Sequence, residues 1–208
     1  MTNTIYLVRH GESQGNYKGF FQGWLDCRLT DEGIKQAELL ASFLKDKRIK
    51  CIFSSPLIRA YETASIIAKK CKIEEIIKLE EFKELNCGRW QGLTKDQVKR
   101  IDPKQIYNFL HKPDELQIPG GESLLELQKR AMRGFNKALF FSKEKDNICI
   151  VAHGFLNKVI LCTLLEQPLS NVRDYPQGNT AVNTLLKYDD KYEVININSL
   201  EHLQKQKK

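Results

Sequence analysis

Short apolar runs alternate along this chain with longer segments in which apolar residues recur every three or four positions. Residues 4–8 form a β-prone run that ends in the charged residues 9–12, and residues 49–54 and 147–152 are further runs of this kind. Near-continuous apolar sequence is typical of parallel strands, because helices cover both faces of a parallel sheet. A weaker run at residues 76–79 predicts one more strand.

Helix signals follow the first two predicted strands. Thr30 is a predicted N-cap, and the apolar positions after it have helical spacing. Ser55 is expected to cap the next helix, with Pro56 in its first turn. Arg59 therefore falls in the first turn of that helix, close to the end of the second strand.

The second half of the chain repeats the alternation of strands and helices. Ser123 and Glu126 have the spacing of a capping box ahead of a long amphipathic helix. A helix is predicted over about 156–165, and a β-hairpin over 181–188 and 192–197. This order predicts an α/β fold, a three-layer α/β/α sandwich with a mostly parallel central sheet. Such folds bind ligands at the carboxyl ends of the strands.

Length and composition indicate how many domains the chain forms and in which compartment it is expected. The chain has 208 residues, of which 41% are hydrophobic and 28% charged, as in ordinary globular proteins. We expect one domain over residues 1–200 and a basic C-terminal tail at 201–208. No run reaches the roughly 18 apolar residues that a membrane helix needs, and the start lacks a secretion signal. A cytoplasmic protein without a membrane partner is predicted.

The distribution of charge argues against a nucleic-acid partner, and the spacing of the cysteines argues against disulfides and a cysteine metal site. The net charge of +7 raises the question of nucleic-acid binding, but the lysines are spread along the whole chain. We therefore expect no nucleic-acid partner. The six cysteines form no CxxC pair, so reduced thiols are predicted in place of disulfides or a cysteine metal site.

Two of the four histidines, His10 and His153, directly follow a β-run and precede a glycine. A single histidine in such a place is more often a hydrogen-bonded structural residue than a nucleophile. Two of them at one edge of a sheet, beside glycines that let a ligand approach closely, favour a shared pocket. Arg59 could add a planar guanidinium suited to two phosphate oxygens, and an ordinary surface arginine is the alternative.

Four motifs occur in order along most of the chain. They are RHGES at 9–13, SSPLIRAYETA at 54–64, ELNCGRWQG at 84–92 and AHG at 152–154. This set resembles the histidine phosphatase superfamily, which is also called phosphoglycerate mutase-like. The chain departs from the usual family pattern at Arg28, where proline is common, and at Cys87, where an aromatic or bulky apolar residue is common.

The resemblance implies a role for each of five residues. His10 would be the phosphorylated nucleophile and Glu84 the proton donor and acceptor, while Arg9, Arg59 and His153 would bind the phosphoryl group. No metal ion and no other cofactor is expected. A second group is expected to contact the substrate, namely Ser13, Asn16, Gln22, Gly23 and Gly154.

Two choices remain open beside these assignments. Glu81 is a second carboxylate in the same loop, and the spacing of Glu84 to the glycines that follow favours Glu84.

For function we favour a phosphatase acting on a small-molecule phosphate monoester. The alternatives are a phosphoglycerate mutase and a non-catalytic scaffold. In mutases the resemblance implies a longer insertion after the glutamate motif than residues 95–118 provide.

The aromatic residues of segment 107–117, with Phe20, Phe21 and Trp24, are expected to cap the pocket. A homodimer is left open.

Overall fold

The computed structural model describes residues 2–142, 146–189 and 191–204. Within these ranges the strands of the sheet are β1 (Thr2–Arg9), β2 (Ile49–Ser54), β3 (Ile76–Lys78), β4 (Asn147–Ala152), β5 (Val182–Tyr188) and β6 (Lys191–Ser199). The helices are α1 (Gln14–Lys18), α2 (Asp31–Leu44), α3 (Ile58–Cys71), α4 (Lys95–Ile101), α5 (Pro103–His111), α6 (Leu124–Phe141), α7 (Gly154–Leu164) and α8 (Glu201–Gln204).

The strands form one mixed sheet in the order β3-β2-β4-β1-β5-β6. β1 pairs in parallel with β4, and β2 pairs in parallel with β4 and β3. β5 pairs antiparallel with β1 and continues into the hairpin with β6. The predicted α/β/α sandwich is therefore confirmed, with four parallel strands and an antiparallel hairpin along one side.

Alternate residues of β1 face opposite helical layers. Ile5 and Leu7 belong to the core that also contains α6 and α7, whereas Tyr6 and Val8 belong to the core formed with α2 and α3. This arrangement follows from the two-residue period of a strand, and it requires both faces to be apolar. The central strand that leads to His10 is therefore fully enclosed.

The predicted caps of two helices are confirmed, and one is wrong. Thr30 accepts a hydrogen bond from the third residue of α2, and Ser123 forms a complete capping box with Glu126. Ser55 does not cap α3, because its backbone N–H still pairs with Val151 as an extension of β2. The helix begins three residues later, at Ile58, and Arg59 nevertheless lies in its first turn.

Three short helices were not predicted from the sequence. α1 begins at Gln14, shortly after β1, and α4 and α5 are neighbouring helices in contact with each other. Val98 and Ile106 bury their side chains in the main core, which holds these two helices against α6. Elements of five to nine residues carry too few periodic positions for a clear helical pattern.

The segment assigned to a basic tail is in part folded. Residues 201–204 form α8, whose His202 is 3% exposed and lies within 2.9 Å of Thr180 Oγ1. The basic cluster at 205–208 lies outside the described residues. Among the helices that the structure describes, none has the length and apolarity needed to cross a bilayer.

Candidate active site

The carboxyl ends of β2, β4 and β1 lie side by side, because these strands are neighbours and parallel. Their ends bring together residues that are far apart in sequence. His10 follows β1, His153 follows β4, and Arg59 enters from the first turn of α3. The two imidazole rings are 5.1 Å apart between centroids, in an edge-to-face arrangement.

His10 is held as a neutral imidazole. Its Nδ1 lies 2.7 Å from the Gly11 carbonyl and so carries the proton, while its Nε2 accepts from Arg59 Nε at 3.2 Å. Burial, and then the charges of Arg59 and Arg9, hold the pKa of His10 well below its ordinary value of 6.5. A neutral ring with a fixed proton on Nδ1 presents the lone pair of Nε2 to the pocket.

Arg59 is a fully enclosed cation, with 1% of its surface exposed. Its Nη1 donates to the Leu25 carbonyl at 2.8 Å and its Nη2 to the Gly23 carbonyl at 2.9 Å. The guanidinium therefore also fixes the loop that forms one wall of the pocket. Gly23 adopts φ +51°, and a Cβ there would lie 2.8 Å from the Cys87 backbone nitrogen, so this position requires glycine.

Arg9 reaches the same pocket from the opposite side. Its Nη1 donates to the Gln177 carbonyl, and Gln177 in turn accepts from Asn157 at 3.2 Å and Asn183 at 2.9 Å through its side-chain oxygen. Among the described residues, the buried Arg9 Nε has no hydrogen-bond partner. A buried donor without a partner is costly, so this group is available to an anion in the pocket.

One ring nitrogen of His153 forms a hydrogen bond, and the other has no partner among the described residues. Its Nε2 lies 2.8 Å from Ser55 Oγ, which also accepts from the Leu57 N–H at 3.3 Å. When the Ser55 hydroxyl uses its one O–H to donate to Nε2, the proton of the neutral ring lies on Nδ1. Burial, followed by Arg59, holds the pKa of His153 well below 6.5, and within the described chain Nδ1 has no partner.

Glu84 lies across the mouth of this arrangement. Its Oε1 accepts from the backbone N–H of Leu85 at 2.8 Å and of Leu156 at 3.2 Å, and its Oε2 accepts from Phe155 at 3.3 Å. The carboxylate therefore caps the first turn of α7. The Glu84 carbonyl accepts from Trp24 Nε1 at 2.7 Å, so its backbone is fixed as well.

Four of these residues, Arg9, His10, Arg59 and Glu84, line a cavity of ≈ 290 Å³, whereas His153 packs against the His10 ring without being part of the lining. The floor of the cavity is Arg9, His10 and Arg59, and its aromatic walls include Phe109 and Phe155. Such a cavity has a strongly anion-binding floor and an apolar upper part. No group of three or more His, Cys, Asp or Glu side chains able to hold a metal ion occurs among the described residues.

The sequence comparison decides the family. The model of the histidine phosphatase superfamily (branch 1) matches residues 5–200. This chain belongs to the histidine phosphatase superfamily.

Individual histidine phosphatases and mutases resemble the chain over much of its length. Phosphoserine phosphatase 1 of Hydrogenobacter thermophilus is 31% identical over 96% of this chain and 93% of its own length. The 2,3-bisphosphoglycerate-dependent phosphoglycerate mutase of Parvibaculum lavamentivorans is 32% identical over 74% of this chain and 76% of its own. The solved structure of Bacillus stearothermophilus YhfR superposes with a TM-score of 0.92 at 27% identity, covering 97% of this chain and all of that one. The family therefore supports phosphatase activity and confirms the phosphoglycerate mutase-like fold.

The residues expected to contact substrate occupy three kinds of position in this histidine phosphatase. Asn16, Gln22 and Gly23 line the cavity directly. Ser13 is fully buried as the N-cap of α1, and its Oγ lies 2.8 Å from Gln22 Oε1, so it can orient that side chain. Gly154 is the first residue of α7, beside the Glu84 carboxylate.

The predicted aromatic cap is only partly formed by the expected residues. Phe20 and Phe21 line the cavity, whereas Trp24 is 39% exposed and contributes through its bond to the Glu84 carbonyl. Within segment 107–117, Phe109 lines the cavity and Tyr107 is 54% exposed. Cys87 also lines the cavity, and burial raises the pKa of its thiol to about 12.

The ion pair of Arg130 and Glu122, which fixes the Glu84 loop, was not predicted from the sequence. Arg130 of α6 donates through Nη1 to the carbonyls of Glu81 and Lys83, both at 2.8 Å, and through Nη2 to that of Glu84 at 3.0 Å. It also forms a two-point ion pair with Glu122, with bonds of 2.8 and 2.7 Å. Glu122 directly precedes the predicted cap Ser123, but nothing local in the sequence marks Arg130 as its partner.

Replacing Arg130 by methionine is expected to lower kcat by about 10- to 100-fold, because small displacements of a catalytic group have effects of this size. The substitution would leave the backbone of Glu84 unsupported and the Glu122 carboxylate unpaired. Steady-state kinetics checks this, with Arg133→Met on the exposed side of α6 as the matched control. Equal kcat values for the two variants would contradict a positioning role for Arg130.

The buried histidines are expected to make the fold less stable in acid. The pKa values of His10 and His153 lie well below 6.5, and burial lowers that of His202 to about 4. As the pH falls below about 6.5, the unfolded chain binds protons at these histidines and the folded chain does not. Each one then lowers the free energy of unfolding by about 1.4 kcal/mol between pH 7.5 and about pH 5.5.

Urea unfolding at these two pH values measures the effect. The variant His10→Ala should lose about 1.4 kcal/mol less than the wild type on acidification, since it lacks one of the three groups. Equal losses in the two proteins would mean that His10 is not held neutral in the folded chain.

Proposed function

We propose that this histidine phosphatase hydrolyses a small phosphate monoester through a phosphohistidine at His10, with Glu84 as proton donor and then acceptor. The observation that carries the proposal is the state of the His10 ring. Its Nδ1 proton is donated to the Gly11 carbonyl, and its Nε2 accepts from Arg59 Nε at the floor of the cavity that Arg9 also lines. A nucleophile with a pre-set lone pair beside an anion site is suited to attack on phosphorus.

In the first half-reaction His10 Nε2 forms a bond to phosphorus, and the bond from phosphorus to the alcohol oxygen breaks. The departing alkoxide takes a proton from Glu84, which becomes a carboxylate. In the second half-reaction a water attacks phosphorus while Glu84 takes a proton from it, and the N–P bond breaks. Inorganic phosphate leaves, and both His10 and Glu84 regain their starting states.

Charge on the phosphoryl oxygens is the main obstacle to both steps. Arg9 Nε and His153 Nδ1 are buried donors without partners in the described structure, and Arg59 adds a second guanidinium. Fixed donors around a transferring phosphoryl group stabilise its transition state without reorganising. Glu84 lies at the mouth of the same cavity, whereas Glu81 forms an ion pair with Lys137 of α6.

The alternative of a phosphoglycerate mutase depends on how well the pocket excludes water. A mutase must keep the phosphoenzyme intact until it returns the phosphoryl group to an intermediate. Here the segment after the glutamate motif contributes Phe109 of α5 to the cavity wall, and the cavity is not enclosed on all sides. An open mouth favours water as the acceptor, and therefore a phosphatase.

A panel of phosphate monoesters tests the proposal, with His10→Ala as the blank. Release of inorganic phosphate is expected from at least one member of the panel in the absence of added metal ions. For 3-phosphoglycerate, both hydrolysis and isomerisation are followed. Fast isomerisation without phosphate release would support the mutase instead, and no turnover of any kind would support the non-catalytic scaffold.

A further inference from the structure

The turn at residues 178–181 contacts the backbone of the proposed nucleophile. The Thr180 N–H donates to the His10 carbonyl at 3.1 Å, and Asn179 Nδ2 donates to the same carbonyl at 3.3 Å. Asn179 Nδ2 also donates to Asn16 Oδ1 at 3.2 Å, and Asn16 lines the cavity. One turn therefore binds both the residue that would attack phosphorus and a residue of the pocket wall.

Thr180 has an uncommon backbone conformation for its residue type. It is the third residue of the turn, in which the Ala181 N–H bonds to the Gly178 carbonyl at 3.1 Å, and its φ is +59°. Glycine and asparagine favour such a position, whereas a β-branched residue there is strained. Strained residues persist where their surroundings hold them in place, and they are most frequent at functional sites. The contacts that hold Thr180 thus also bear on the position of His10.

The side chain of Thr180 is held by the C-terminal helix. Thr180 is fully buried, and its Oγ1 donates to the Asn179 carbonyl at 2.6 Å and lies 2.9 Å from His202 Nε2. Because the one hydroxyl proton is used for that carbonyl, Nε2 is the donor to Thr180 and carries the proton of the neutral ring. His202 Nδ1 is buried without a partner among the described residues. An unsatisfied buried nitrogen costs free energy, so packing alone does not explain a histidine here.

The C-terminal segment contacts the turn at two points. Leu200, which links β6 to α8, lies against Gly178, where a Cβ would be 3.0 Å from Leu200 Cδ1. The second point is His202, the buried residue of α8, whose ring centroid is 5.9 Å from that of Phe43 in α2. α8 therefore packs on α2 with the His202 ring directed at Thr180.

We propose that His202 is a positioning residue for the nucleophile, acting through Thr180 and the turn at residues 178–181. The hydrogen bond from His202 Nε2 keeps Thr180 in its strained conformation, in which the Thr180 N–H meets the His10 carbonyl. Without that bond the turn can relax, and His10 and Asn16 lose the donors that fix them. The effect on turnover rests on the proposed phosphatase function, whereas the effect on the turn does not.

Amide hydrogen exchange at Thr180, followed by NMR, tests the turn without any turnover. His202→Leu removes the donor, His202→Gln supplies an N–H donor at a similar reach, and Phe43→Leu loosens the packing of α8 and leaves the bond in place. Relative to the amides of β4, we expect His202→Leu to speed exchange of the Thr180 N–H at least about 10-fold, and His202→Gln to restore much of the protection. Unchanged protection in a folded His202→Leu, or an equal loss in Phe43→Leu, would overturn the proposal.

Steady-state kinetics tests the consequence for His10. His202→Leu should lower kcat by about 10- to 100-fold, the effect of a small displacement of a reacting group. The inhibition constant of inorganic phosphate should change far less, because Arg59 and His153 belong to α3 and to the end of β4. Phe43→Leu should keep a kcat close to that of the wild type.

Thr180→Val removes the acceptor of the same hydrogen bond and should resemble His202→Leu. In the double variant the two losses of kcat should not add, because both substitutions break one interaction. Additive losses, or a normal kcat in a His202→Leu protein whose Thr180 amide exchanges fast, would overturn the positioning role. If the wild type turns over none of the phosphate monoesters, the exchange measurement still decides whether His202 holds the turn, so the two proposals fail separately.

Discussion

Replacing His10 by alanine is expected to lower kcat by about 10⁴- to 10⁶-fold, as removal of a covalent nucleophile does in other enzymes. The remaining pocket would still contain Arg9, Arg59 and His153, so phosphate binding should persist. Labelling of the protein by a ³²P-phosphate monoester should disappear together with turnover. Samples quenched in alkaline detergent, in which phosphohistidine survives, measure that labelling, and loss of the label in acid identifies the N–P bond.

The fold of His10→Ala should survive, because the backbone of residue 10 is held independently of its side chain. The N–H donates to the Ala152 carbonyl at 3.1 Å, and the carbonyl accepts from the Thr180 N–H at 3.1 Å. His111→Ala, at an exposed position on α5, is the control for loss of an imidazole. Normal turnover by a correctly folded His10→Ala would exclude the proposed mechanism.

Glu84→Gln should slow both half-reactions by about 10²- to 10⁴-fold for an alkyl phosphate, the usual contribution of a positioned acid–base group. Glutamine keeps the size of the side chain, and its one amide oxygen can still accept from the N–H groups of Leu85 and Leu156, so most of the local structure should be retained. It can neither protonate an alkoxide nor take a proton from water. Affinity for phosphate should change little, because the residue lies outside the cluster of anion donors.

The choice of leaving group separates the two steps. p-Nitrophenolate leaves without help from an acid, so Glu84→Gln should form the phosphoenzyme from p-nitrophenyl phosphate readily and hydrolyse it slowly. Stopped-flow absorbance should then show a burst of nitrophenolate close to one equivalent per site, and the phosphoenzyme should accumulate. Glu81→Gln removes a carboxylate three positions earlier and should resemble the wild type. A Glu84→Gln enzyme equally slow on alkyl and nitrophenyl substrates, without a burst, would refute the role in leaving-group protonation.

Local patterns predicted the strands and the main helices because each depends on neighbours in sequence. Thr30 and Ser123 are caps whose partners lie three residues away, and the apolar runs of β1 and β4 are continuous. Ser55 was assigned wrongly because its backbone N–H extends the pairing of β2 with Val151 and its hydroxyl is engaged by His153, which lies 98 positions away. No local rule anticipates a partner at that separation.

The residues that hold the site in place could not be predicted from sequence patterns either. The family resemblance marks Arg9 and Glu84 but not Gln177, which is 168 residues from Arg9, nor Arg130, which is 46 residues from Glu84. Polar side chains such as these have no periodicity, and their roles depend on which elements the fold makes neighbours. His202 has the same character, since its hydrogen-bond partner is 22 positions away.

The lone pair of His10 Nε2 accepts a hydrogen bond from Arg59 Nε at 3.2 Å. A phosphoryl dianion is a stronger acceptor for a guanidinium than a neutral imidazole, so a bound substrate competes for that donor. In the proposed mechanism its arrival both supplies the electrophile and unmasks the attacking nitrogen. The same guanidinium N–H therefore serves two acceptors in turn, first the imidazole and then the phosphoryl oxygens.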